Sequence, residues 1–436
     1  MMHTVRIQQS CAMFGTLIAI YVLGFSVYKI TFDNDFNRLH LYPKYKMNDF
    51  GSMRVLKRNN TKRIEDKWIR RSGPFELLKR KPPVYLPELK NPCWYGDGDD
   101  HDRRQHWMDI LCRHSNETRK RLCSDRKRRT KNIRLLRCLP YFMLVGQHKC
   151  GTTDLFKRIA SHPDVKAGLL KEPEWFSRRR HCQYPEFKGL CNLAADKPYT
   201  FTEYVDQFDA AAALIQNAND EQKSNFITGE GTPVTLWDHI WWWAFPENKK
   251  DEEPGLINAH FIRHLLPDVK ILVILRNPVD RLYSDYLFFS PKKSKSEEEF
   301  HKKTRLSVDK FKNCLTKHSI RHCAYKINYQ DLGLHGSLYS VFLKDWMTVF
   351  PRKQFFITTL EEYSKNQTLV ASEVFTFLGL RAESGRGNTH FNSRRPSVKH
   401  MGDMYNETRR ILEQFYKPFN RELAALLDDP KFLWGS

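Results

Sequence analysis

Lys149 stands inside a glycine-bounded loop, Gly146 to Gly151, at the end of the apolar run Tyr141-Phe-Met-Leu-Val145; Thr152, Thr153 and Asp154 then open what reads as a helix. Glycines at both ends let backbone N–H groups turn inward, and the positive end of the helix adds to them. Such a loop is a site for a phosphate or sulfate oxygen. Its Gly146-xxxx-Gly151 spacing is that of a nucleotide P-loop, but that motif places Lys directly after the second Gly, where this chain has Thr152. A lysine inside the loop suits the 5′ end of a donor shorter than a Mg²⁺-bound triphosphate. A P-loop kinase is the enzyme rival, and an ordinary strand–turn–helix corner is the bland reading.

A second group lies at Arg276-Asn-Pro-Val-Asp-Arg-Leu-Tyr-Ser-Asp-Tyr286. Arg276 ends the apolar run Val269–Leu275, and ligands of open α/β sheets bind at the carboxyl ends of strands. Ser284 falls about two turns into the following helix. A fixed guanidinium with a hydroxyl suits a second phosphate; an Arg276–Asp280 ion pair is the plainer alternative.

These groups need a scaffold. Val269–Leu275 is a strand of the kind buried on both faces of a parallel sheet, and Asn277 and Pro278 suit the N-cap and first position of a helix. Further strands are expected at Val165–Leu170 and Phe355–Leu360, and helices at Thr153–Ser161 and Leu338–Phe350. Strands alternating with helices predict an α/β domain with a mainly parallel sheet.

The rest of the chain sets the compartment. At 436 residues it can bury a large core and still carry an appendage. Its 72 Lys+Arg against 50 Asp+Glu give a net charge of +22, which implies an acidic partner: nucleic acid, membrane surface or sulfated polysaccharide. Residues 12–28 are almost entirely apolar and predict an uncleaved signal-anchor after a short tail, 1–11. Residues 29–138 read as a basic stem, dense in Arg and Lys from Arg119 to Arg137, and 139–436 as the catalytic body. Four N-glycosylation sequons, at Asn59, Asn116, Asn366 and Asn406, and ten cysteines fit a lumenal body and argue against a nuclear protein. Cys182 with Cys191 and Cys314 with Cys323 share a spacing and are expected bridges; the pairing of Cys93, Cys112, Cys123 and Cys138 stays open. No CxxC, HExxH or similar ligand spacing appears, so no metal is expected.

Taken together, the loop Lys149-Cys150-Gly151-Thr152-Thr153-Asp154 and the Arg276–Ser284 segment resemble the membrane-anchored carbohydrate sulfotransferases, over roughly residues 139–436. Shared Lys-Cys-Gly-Thr-Thr-Asp, Lys-Glu-Pro-x-Trp and Arg-Arg-Pro motifs are most similar to the N-acetylgalactosamine 4-sulfate 6-O-sulfotransferase group. Heparan-sulfate 3-O- and N-sulfotransferases look more distant. Gln147-His148 departs from the Phe-Pro or Arg-Lys type of pair common before the loop lysine.

The resemblance implies a P-loop-like fold and the donor 3′-phosphoadenosine 5′-phosphosulfate (PAPS). Lys149 to Asp154 would hold its 5′-phosphosulfate, Arg276 and Ser284 its 3′-phosphate, and Arg394 and Arg395 a loop closing over it. Glu172 matches the catalytic glutamate of the heparan-type relatives and is the candidate base, with Lys149 neutralising the leaving oxygen. Lys171, Trp175 and Arg178 are candidates to meet the acceptor, and Trp237 to Trp243 a weaker one. The expected reaction is sulfation of a glycosaminoglycan, at the 6-OH of N-acetylgalactosamine 4-sulfate in chondroitin or dermatan sulfate, in the Golgi lumen. The alternatives are a heparan sulfate acceptor, or a catalytically silent, anchored polyanion-binding protein.

Overall fold

The computed structural model describes residues 76–79, 81–96, 135–183, 200–239, 242, 248, 252–291, 295–326, 332–382 and 402–435, all within the unit Tyr42–Ser436. The expected anchor, Asn59, Asn116, Cys112, Cys123, Cys191, Trp241, Trp243, Arg394 and Arg395 lie outside the described residues. Among the described residues no helix is long and apolar enough to cross a membrane.

In chain order the elements that bear on the site are β1 (Cys93–Tyr95), β2 (Leu136–Cys138), β3 (Phe142–Gly146), α1 (Thr152–Ala160), α2 (Phe201–Asp206), α3 (Asp209–Gln216), β4 (Gly229–Glu230), α4 (Asn258–Leu265) and β5 (Lys270–Leu275). They continue with α5 (Pro278–Phe289), α6 (Glu297–Leu315), α7 (Ile320–Lys326), α8 (Tyr339–Val349), β6 (Phe355–Thr359), α9 (Leu360–Lys365), α10 (Gln367–Phe377) and α11 (Asn406–Leu427). The four strands β4-β3-β5-β6 lie side by side in that order, every neighbouring pair parallel.

Side chains alternate across this sheet. Phe142, Leu144, Leu272 and Ile274 enter one buried cluster with Leu155, Phe156 and Ile159 of α1 and Val370 and Val374 of α10. Met143, Val145, Ile271, Val273 and Leu275 enter another, with Phe261 of α4, Leu282 of α5, Trp346 of α8 and Tyr416 of α11. With both faces covered, every second residue has a core to enter, which is why β5 reads as an unbroken apolar run. Burying each such side chain contributes roughly 1.5–3 kcal/mol. β4 runs close beside β3: Gly229 pairs with Phe142, and a Cβ there would fall 2.4 Å from its ring.

Two expectations change. The strand at Val165–Leu170 is a single bridge, Val165 with Ile227, because the chain turns away after it and Leu169 N–H bonds Gln207 O at 3.0 Å instead of a strand. The packed body also begins before Leu139. Residues 81–96 and 135–138, within the expected stem, form the antiparallel pair β1–β2, closed by a Cys93–Cys138 disulfide. Tyr85 Oη donates to Leu265 O at 2.7 Å, and Asn91 bonds both Phe226 O and Thr228 N at 2.7 Å. Arg137 is buried on Asp206 and Asp209 at 2.5 and 3.0 Å. The expected Cys314–Cys323 bridge is present.

Asn366 and Asn406 are both exposed, the first as N-cap of α10, where its side chain accepts from Leu369 N.

The Cys93–Cys138 bridge closes a long loop, so replacing both residues by Ser is expected to lower stability by about 2–4 kcal/mol. A denaturation midpoint equal to the parent's would contradict this.

Candidate functional site

The carboxyl ends of β3, β5 and β6 meet at one place. β3 ends at Gly146, and Gln147 N–H bonds Ile274 O of β5 at 2.8 Å. The loop then takes left-handed backbone at Lys149 (φ 66°) and Gly151 (φ 87°). Gly151 must be glycine on two counts, since its φ is strained for other residues and a Cβ would sit 2.8 Å from Leu360 Cδ1. As N-cap of α1 it offers no side chain to the first turn; the Asp154 and Leu155 N–H groups bond its own carbonyl oxygen, both at 3.1 Å, and those of Thr152 and Thr153, which have no helix carbonyl to bond, lie at the positive end of the helix, where an anion is favoured.

Arg276 follows the last residue of β5, half-buried, with Nη1 3.5 Å from Lys149 O. Asn277 caps α5 as expected, accepting from Val279 N at 2.9 Å, with Pro278 opening the helix. Glu361, just after β6, accepts from Asn277 N at 2.9 Å. Asp280 is held by Arg409 of α11 at 2.9 Å. Ser284 is half-buried on α5 and shares a face with Phe288, one turn on. Lys149 Nζ lies over the Phe288 ring, 3.6 Å from its centroid. The loop lysine, the strand-end arginine and Ser284 therefore belong to one neighbourhood.

Behind the loop is a buried polar cluster that the sequence reading missed. Arg281, one turn before Asp285 on α5, is fully buried. Its Nη1 is 2.7 Å from His148 Nε2, its Nη2 donates to Gly333 O at 2.7 Å, and its Nε donates to Ser337 Oγ. Asp285 lies 3.4 Å from the guanidinium and 3.0 Å from His148. Burial would raise the Asp285 carboxyl, but His148 and Arg281 outweigh it and bring it down to about 2. Burial lowers His148, with Asp285 opposing and Arg281 adding to the effect. Gln147 and His148, the departures from the family pair, are thus fixed points of the loop; Gln147 Nε2 donates to Gly336 O. The available signal was Arg281 and Asp285 at i, i+4 beside the strand end.

Several predicted site residues turn elsewhere. The Asp154 side chain accepts from Tyr363 Oη of α9, so it joins two helices instead of facing the donor. The Cys150 thiol is buried and pushed up to about 12 by that burial, and its N–H is taken by Gln147 O at 3.2 Å. Trp175 is core, 3% exposed, stacked on Tyr204 at 4.9 Å, and has no face to offer a sugar. Trp237 and Trp242 are buried too. Arg178 pairs with buried Asp238. Thr152 is buried and Thr153 half-buried in the first turn of α1. Glu172 is nearly buried and ion-paired with Lys171.

Glu230, also missed, ends β4 beside this segment, where Gly231 N–H bonds Lys171 O at 2.9 Å. Burial pushes its carboxyl up to about 8, opposed by the neighbouring Tyr204 hydroxyl.

Residues 139–414 match the family described as sulfotransferase domain. Carbohydrate sulfotransferase 15 of Rattus norvegicus is 35% identical over 92% of this chain and 74% of its own. The Homo sapiens protein of that name is 35% identical over 89% and 74%. Heparan sulfate glucosamine 3-O-sulfotransferase 6 of Homo sapiens is 24% identical over 69% and 75%.

Because folding raises the Glu230 pKa, the folded chain keeps a proton that the unfolded chain loses, and stability falls as pH rises from the ordinary carboxyl range through about 8. Glu230→Gln removes that contribution. Melting temperatures of parent and variant are expected to diverge in the variant's favour as pH rises, and parallel curves would contradict this.

Proposed function

The chain belongs to the sulfotransferase family, and from that premise we propose that it transfers the sulfuryl group of PAPS to the 6-OH of N-acetylgalactosamine 4-sulfate in chondroitin or dermatan sulfate. The observation that carries the donor reading is the meeting of the uncapped α1 N-terminus, Lys149, Arg276 and Ser284 where β3 and β5 end. These groups fit a donor with two anionic ends: backbone N–H groups and Lys149 for the 5′-phosphosulfate, Arg276 and Ser284 for the 3′-phosphate. The acceptor reading rests on the shared motifs, on 35% identity to proteins named carbohydrate sulfotransferase 15, and on a charge of +22 suited to a polyanion.

The donor, when bound, supplies an activated sulfuryl group with adenosine 3′,5′-bisphosphate as leaving group. Lys149 places its ammonium where charge gathers on the bridging oxygen. Glu172, ion-paired with Lys171, takes the proton of the attacking hydroxyl. Its ion pair also brings Lys171 to the place where an acceptor sulfate would arrive. Arg394 and Arg395 close over the donor in this reading, and residues 12–28 anchor the enzyme in the Golgi membrane with its body in the lumen, glycosylated at the exposed Asn366 and Asn406.

The test is transfer of labelled sulfate from PAPS by the detergent-purified full chain, with chondroitin, chondroitin 4-sulfate, dermatan sulfate and heparan sulfate as parallel acceptors. Label on the 4-sulfated galactosaminoglycans is expected. Lys149→Ala should lower kcat by about 10²–10³ and Glu172→Gln by about 10²–10⁴. Label on heparan sulfate alone would overturn the acceptor, and full activity in both variants would overturn the mechanism.

A further inference from the structure

Away from the donor site, one side-chain cluster has the composition of a metal centre. His318 and His322 lie four apart at the turn from α6 into α7, and Glu252 comes from the segment before α4. One ligand atom of each lies within 4.8 Å of the other two. His318 Nδ1 is 3.9 Å from Glu252 Oε2, and the imidazoles are stacked, centroids 4.0 Å apart and 7° from parallel; parallel rings aim their in-plane lone pairs past each other, so the exposed His318 ring has to turn to share an ion with His322. His322 is 4% exposed, and its Nδ1 has no hydrogen-bond partner among the described residues. A buried ring nitrogen left unpaired is destabilising, and a metal ion would satisfy it.

The surroundings hold the backbone that carries these donors in place. The Cys314–Cys323 disulfide spans the turn and encloses both histidines. His318 N–H bonds Cys314 O, and His322 N–H bonds Ser319 Oγ, both at 3.0 Å. Ser319 also donates to Glu253. Arg321 reaches Glu253 Oε2 at 3.2 Å and Pro254 O at 2.6 Å. Glu253 is therefore occupied in tying its segment to the turn, which brings the neighbouring Glu252 carboxylate to His318.

We propose that Glu252, His318 and His322 bind a divalent transition-metal ion, with a fourth position left to water. Two imidazoles and one carboxylate are a zinc ligand set. The bound ion links the segment before α4 to the disulfide-closed turn, so it raises stability and is separate from the sulfuryl-transfer chemistry.

The test uses the full chain, purified without a polyhistidine tag and stripped with chelator. Zinc sulfate is titrated against a competing chromophoric chelator, and melting is followed with and without zinc. One equivalent bound and a raised Tm are expected. Glu252→Gln and His318→Asn change exposed side chains and spare the core; each should weaken binding by about tenfold or more and remove the Tm rise. Zinc binding in both variants equal to the parent's, or no parent binding in competition with the chelator, would overturn the site.

Discussion

A buried guanidinium fixes the proposed donor loop. Arg281 cannot be solvated where it lies, so it has to be paired, and its partners come from separate stretches of chain: His148 in the loop, Asp285 on its own helix, Gly333 and Ser337 before α8. Leaving such a charge unpaired costs about 3–5 kcal/mol. The loop, α5 and the turn before α8 therefore hold one another in a single arrangement. The consequence lies on the other side of the loop, where Lys149 and Gly151 take left-handed backbone and the N-terminus of α1 has no side-chain cap.

The sheet supplies the second condition. Parallel strands end on the same side, so the residues after β3, β5 and β6 must converge, and each contributes one part: the loop, Arg276 and Glu361. The two buried faces of β5 secure that convergence, because a slip of one residue would exchange its core contacts. Core packing thus sets where the loop and Arg276 stand relative to each other, the separation on which the proposed doubly phosphorylated donor rests. The proposed acceptor side is built differently. Trp175, Arg178 and Asp238 form its supporting wall, leaving the Lys171–Glu172 pair beside β4 as the groups on which the proposed chemistry rests.

What could be read from the sequence was local. The β5 run, the Asn277–Pro278 cap and the lysine within the Gly146–Gly151 loop are each specified by a few adjacent residues, and each appears where expected. What could not be read depended on partners distant in sequence. Arg281 and Asp285 look like a surface i, i+4 pair until α8 and α11 cover them. Trp175 and Trp237 look available until their packing against Tyr204 and His335 is known. Cys93 could not be assigned to Cys138 because only the β1–β2 pairing selects it. Glu252 is likewise far in sequence from the histidines it faces. Val165 failed as a strand although its residues suit one, since Gln207 takes the backbone hydrogen bond that continuation would need.

The most direct measurement is the calorimetric affinity of adenosine 3′,5′-bisphosphate for the full chain and for Arg281→Lys, which keeps the buried charge but loses the guanidinium fork, compared while both melt cooperatively. The account predicts tight binding by the parent and a loss of about tenfold or more in the variant, about 1.4 kcal/mol, because the loop is no longer held. Equal affinities in two folded proteins, or no binding by the parent, would contradict it.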